Sequence, residues 1–98
     1  MNISIEKNEA TTKIILEGRL DTTTAPSLEK TIIENLDGTD NLILDMEKLS
    51  YISSAGLRVL LMAQKQTTNM SSYKLINVCD MVMEVFEMTG FADILTIE

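Results

Sequence analysis

Residues 42–62 read LILDMEKLSYISSAGLRVLLM. Leu42, Ile43 and Leu44 form the middle of a short, nearly continuous apolar strand over Asn41 to Asp45, the pattern expected of a strand covered on both faces. A polar turn follows. From Ser53 onward, the spacing of Leu57, Leu60 and Leu61 predicts a helix reaching about Gln66, with Ser53, Ser54, Ala55 and Gly56 in its first turn. A serine at a helix start ordinarily caps it, accepting a backbone N–H bond at a gain of about 1 kcal/mol. The small residues behind it open a second use, because they leave a hydroxyl accessible. A phosphate of roughly −2 charge placed there would meet free N–H groups and the positive end of the helix dipole. The Leu face of the helix is expected to be core. Ala55, Val59 and Met62 lie on the other face, which is either covered by a later helix or exposed as an apolar protein-binding patch.

Toward the N-terminus, Ile3 and Ile5 alternate with polar neighbours, and a second apolar stretch runs from Thr12 to Gly18 beyond the link Asn8-Glu9-Ala10. This reads as an antiparallel hairpin. Arg19 to Ala25 is a polar loop, with Thr24 placed to cap a helix that has Pro26 in its first turn. Leu28, Ile32 and Leu36 recur along that helix, which Asp37-Gly38 is expected to end. Toward the C-terminus, the loop Thr67 to Ser72 leads to a strand through Tyr73, Leu75, Ile76 and Val78. Asp80 is placed to cap a third helix containing Val82, Val85 and Phe86, which Gly90 ends after Thr89, and Ile94, Leu95 and Ile97 make a last strand.

The order β-β-α-β-α-β-α-β predicts an α/β fold. It is a single domain over residues 1–98, with a mixed sheet of about five strands opened by an antiparallel hairpin, and three helices joined by right-handed crossovers. Strand-to-helix turns gather at the carboxyl ends of such strands, which brings Leu20–Ala25 and Leu49–Gly56 to one end of the sheet.

Composition narrows the function. Eight basic against 15 acidic residues give a net charge of −7, which repels nucleic-acid backbones and anionic membranes and attracts basic protein surfaces. The chain has no histidine, so the usual general base, triad partner and imidazole ligand are missing and most hydrolytic designs with them. No nucleophile–base pair or Gly-rich phosphate loop is present, and the expectation is a non-enzyme without cofactor or metal. Asp45 and Glu47 read as solvated acids rather than Mg²⁺ ligands, and the lone Cys79 as a structural thiol. The N-terminus lacks a charged and apolar leader, and no apolar run reaches the roughly 20 residues of a membrane span, which together point to a cytoplasmic location. Asp21 is either a turn or capping carboxylate, or an acid beside Ser54 that shapes recognition.

Three segments, GRLDTTTAP (Gly18 to Pro26), LILDMEKLSYISSAGLRVLL (Leu42 to Leu61) and VFEMTGFADILTI (Val85 to Ile97), together resemble the STAS domain of bacterial anti-sigma-factor antagonists. The resemblance covers nearly the whole chain, and its specific part is the serine-x-glycine-leucine start of the central helix. It implies a protein that, unphosphorylated, binds an anti-sigma factor with serine kinase activity and so releases a sigma factor. Phosphorylation by that kinase switches it off, and a serine phosphatase resets it. By position the phosphoacceptor is Ser54, with Ser53 as the alternative, and the loop acid is Asp21. The implied partner surface comprises Asp21, Thr22, Thr23, Ser53, Ala55, Gly56, Arg58, Val59 and Met62, with no catalytic or metal-binding residue. Many members carry an aspartate where this chain has Ser53, and many continue past the position of Glu98 into a further helix that covers more of the sheet. STAS-like domains also serve as constitutive accessory subunits of transport complexes, such as lipid-transport ATPases, and this is the alternative function.

Overall fold

The computed structural model describes all 98 residues. The hairpin pairs β1 (Asn2–Asn8) antiparallel to β2 (Thr11–Leu20), and its link carries Glu9 in the left-handed region at φ 59°. After α1 (Ala25–Glu34) comes β3 (Asn41–Ile52), parallel to β2. After α2 (Ser54–Gln66) comes β4 (Ser72–Ile76), parallel to β3, and α3 (Asp80–Thr89) follows. Gly90, at φ 81°, ends α3 in the left-handed turn that glycine permits. The strand order is β1-β2-β3-β4, the mixed α/β arrangement expected from the sequence.

The fifth strand is the first correction. Phe91–Asp93 forms a 3-10 turn, Leu95 turns into the core, and only a single parallel bridge joins Ile97 to Leu75 on the free edge of β4. Two hydrogen bonds hold it, Leu75 N–H to the Thr96 carbonyl and Glu98 N–H to the Leu75 carbonyl, both at 2.9 Å. The sheet therefore has four strands.

Burial corrects the reading of β3 as covered on both faces. Leu42 and Leu44 are wholly buried, whereas Ile43 is only half-buried, and β2 and β4 alternate in the same way. One face of the sheet carries the core. The inward residues of the strands join Leu28 and Ile32 of α1, Leu57 and Leu60 of α2, and Val82 and Phe86 of α3 in one buried cluster. On the other face Asp45 is a brace. Its carboxylate accepts from the Glu47 N–H at 3.1 Å and the Asn77 amide at 3.2 Å, and lies 3.6 Å from the Lys13 ammonium. Burial pushes its carboxyl up, but these partners outweigh burial and hold it below the ordinary value.

β3 is also far longer than the five residues read from the sequence, because the supposed polar turn is strand. The parallel ladder with β2 shifts register between Ile15 and Glu17 and again between Gly18 and Arg19, and Gly18 takes φ 111° there. These irregularities break the period-two pattern, which is why Leu49 and Ile52, and Leu20 on β2, do not read as strand residues although all three are buried. Arg19 and Leu20, assigned to a loop from sequence, belong to β2.

Smaller corrections concern helix ends. α1 stops at Glu34 with Asn35 at its C-terminal cap, so Leu36 packs on the core from outside the helix. Cys79 occupies the cap position of α3, its thiol 3.6 Å from the Leu49 carbonyl, while Asp80 is the first helical residue. Val78 lies beyond β4, after Asn77 in the left-handed region at φ 58°.

Candidate functional site

The ladder between β2 and β3 ends at the pair Leu20–Ile52, and the next residue, Ser53, donates its N–H to the Leu20 carbonyl at 2.9 Å. This bond brings the start of α2 against the loop that begins α1. Gly56 makes the approach possible. A Cβ at that position would stand 2.7 Å from Leu20 Cγ and 2.9 Å from Ile52 Cγ1, so only glycine lets α2 seat on the strand ends. Gly56 is buried, and its small size serves the core rather than an open approach to a partner.

The two serines differ. Ser53 is the N-cap of α2, in an extended conformation, and its Oγ accepts from the Gly56 N–H at 3.5 Å. Ser54 is the first residue of the helix and is exposed, with a hydroxyl that has no hydrogen-bond partner in the chain.

In the neighbouring loop, Asp21 Oδ1 accepts from the Thr23 N–H at 3.0 Å, the Thr23 hydroxyl at 2.8 Å and the Thr24 N–H at 3.2 Å, with the Thr24 hydroxyl oxygen 3.3 Å away. The Thr23 hydroxyl is the main cause of an Asp21 carboxyl held below its ordinary value, with the backbone N–H groups of Thr23 and Thr24 adding to it and burial opposing. Thr24 holds the N-cap position of α1 but its side chain makes no capping bond, and Asp21 closes the turn ahead of the helix. The Thr24 hydroxyl instead donates to the Arg19 carbonyl at 2.7 Å and lies 2.8 Å from the Asp21 N–H. Arg19 in turn covers the Tyr51 ring, 4.1 Å from its centre, with its Nε 3.9 Å from Asp21 Oδ2.

The outer face of α2 is flanked by α1, not by α3 as one reading of the sequence had it. An open groove of about 530 Å³ separates the two helices. Thr22, Pro26 and Glu29 line it from one side, and Ala55, Arg58, Val59 and Met62 from the other. Val59 is buried and presents only an edge, whereas Leu61, expected in the core with Leu57 and Leu60, is half-buried and lines the groove. Lys65 and Gln66 extend the α2 wall. Their helical spacing from Arg58 and Met62 was available in the sequence, but the α1 wall depends on which helix lies next to α2. Of the expected partner-surface residues, all but buried Gly56, capping Ser53 and the Asp21–Thr23 pair line this groove. No group of three or more His, Cys, Asp or Glu residues is gathered to hold a metal, and no helix is long and apolar enough to cross a membrane.

Comparison with known proteins matches this architecture. The profile of the STAS domain family matches residues 2–98. An anti-sigma-B factor antagonist of Listeria monocytogenes is 35% identical over 104 residues, covering 100% of this chain and 90% of that protein. Among solved structures, the anti-sigma factor antagonist SpoIIAA in its unphosphorylated form shares the fold at TM-score 0.84 and 21% identity, covering 99% of this chain and 88% of that one. The Bacillus cell fate determinant SpoIIAA in its phosphorylated form does so at TM-score 0.76 and 20% identity, covering 99% and 91%. With a profile match spanning almost every residue and the same helices and mixed sheet, the chain belongs to the STAS domain family, among its anti-sigma factor antagonists.

Proposed function

We propose that this chain is a partner-switching phosphoprotein. Unphosphorylated, it binds an anti-sigma factor that is also a serine kinase, and so frees a sigma factor. Phosphorylation of Ser54 ends that binding, and a serine phosphatase restores it. The observation that carries the reading is the contrast between neighbouring hydroxyls, since Ser53 caps α2 while Ser54 is exposed and unengaged, next in the chain to Ala55 of the α1–α2 groove. In the transfer, Ser54 Oγ bonds to the γ-phosphorus of ATP held by the kinase as the bond to ADP breaks, and the hydroxyl proton passes to a base on the kinase. ATP and Mg²⁺ belong to that enzyme. The product adds roughly two negative charges without disturbing the cap, because Ser53 keeps its bond.

Two comparisons support the reading. The Listeria relative is named for antagonism of an anti-sigma factor, and a neighbour of the same fold is known in a phosphorylated form. The test is binding of the cognate kinase by calorimetry to the parent chain, Ser54→Ala and Ser54→Asp. The alanine variant is expected to bind like the parent, and the aspartate variant at least about 10-fold more weakly, the scale of one lost central contact. Equal binding by all three would contradict the switch and favour a constitutive accessory role in a transport complex.

A further inference from the structure

Arg58 stands one helical turn beyond Ser54, on the same side of α2, and both residues are exposed. Side chains four apart on a helix are neighbours, and an acid placed four residues before a base is the favourable order. The three ion pairs of the chain use Lys13, Arg19 and Lys74, so the Arg58 guanidinium is free. Glu29 lines the opposite side of the same groove without forming an ion pair to it. The other guanidinium near the site, Arg19, is held by the Tyr51 ring and Asp21. One arginine at this end of the sheet is engaged and the other is available.

We infer that Arg58 reads the phosphate: once Ser54 carries it, the Arg58 guanidinium folds onto its oxygens and leaves the docking groove. This rests on the reading of Ser54 as phosphoacceptor. Guanidinium is suited to the task because its planar fork matches two phosphate oxygens at once. Before phosphorylation, Arg58 is a cation on an apolar wall formed with Ala55, Val59 and Met62, placed to take a carboxylate of the kinase. Afterwards the local charge falls from +1 to about −1, since the phosphate brings roughly two negative charges against one positive. The modification then acts twice, adding repulsion and withdrawing the cation that the partner used.

Phosphoserine installed at position 54 during translation tests this without any kinase. In a ³¹P NMR titration, the second ionisation of the phosphate is expected to have a midpoint about 0.3 pH unit lower in the parent than in Arg58→Gln, the size expected of an exposed pair at this spacing. The Arg58 Nε–H resonance should move when the phosphate is present, and Arg19→Gln should leave the midpoint where the parent has it. Identical midpoints for the parent and Arg58→Gln would overturn the proposal. If the midpoints differ as expected but no kinase modifies Ser54, the Arg58 contact stands and the switching reading fails, so the two are separable.

Discussion

At the start of α1, Asp21 Oδ1 gathers three donors from Thr23 and Thr24, and the Thr24 hydroxyl ties the loop back to the Arg19 carbonyl. At the start of α2, a single long bond joins Ser53 to the Gly56 N–H, and the Ser54 hydroxyl has no partner. Both turns sit at the carboxyl end of neighbouring parallel strands, joined by the bond from Ser53 to Leu20. In the first, the Asp21 carboxylate and the Thr23 and Thr24 hydroxyls are bonded within the chain itself. The second keeps a hydroxyl and a guanidinium for something else.

The close packing of α2 on the strand ends is open to attack at Gly56, where the largest effect is expected. Gly56→Ala pushes a methyl against Leu20 and Ile52, and overpacking of this kind costs about 1–3 kcal/mol, to be read from urea unfolding. The serines should separate next. Ser53→Ala loses the cap and is expected to destabilise by about 0.5–1 kcal/mol, at the low end because the bond is long. Ser54→Ala should remain within about 0.5 kcal/mol of the parent, as an exposed side chain without partners does. Equal losses would erase the distinction between capping and free hydroxyl.

The smallest effect concerns the loop before α1. Asp21 has a folded-state pKa below its unfolded value of 3.8, so its contribution to stability is complete above that pH and is lost as pH falls through the folded value. Asp40 and Asp45 shift in the same direction. Asp21→Asn should therefore remove only part of the stability lost between about pH 6 and pH 3, measured by unfolding at both ends. An unchanged acid limb would mean that the hydrogen bonds of Asp21 do not favour its charged form.

Much of this contrast was legible in the sequence. The order of elements followed from apolar periodicity, α2 has the limits that were read for it, and α3 ends at Thr89 before Gly90 as read, although Cys79 and not Asp80 holds its cap position. The far half of β3 was hidden because bulges displace Leu49 and Ile52 from alternation, so that strand reads as turn. The last strand was overread, because Ile94, Leu95 and Ile97 are apolar for different reasons, one exposed, one buried and one bridging the sheet edge. The serine pair was legible as a candidate site. Which serine caps and which is free depends on a backbone conformation, extended at Ser53, that no residue pattern states. The groove was half legible, because α2 shows its own stripe while the identity of the helix beside it is a matter of packing.

The central claim is that Ser54, and not the adjacent Ser53, carries the reversible charge. Phosphosite mapping by fragmentation mass spectrometry, after incubation with the cognate kinase and ATP, tests it most directly. The expected result is one phosphate per chain, on Ser54, and none on the Ser54→Ala variant. A phosphate on Ser53, or an unmodified parent chain beside an active kinase, would contradict it.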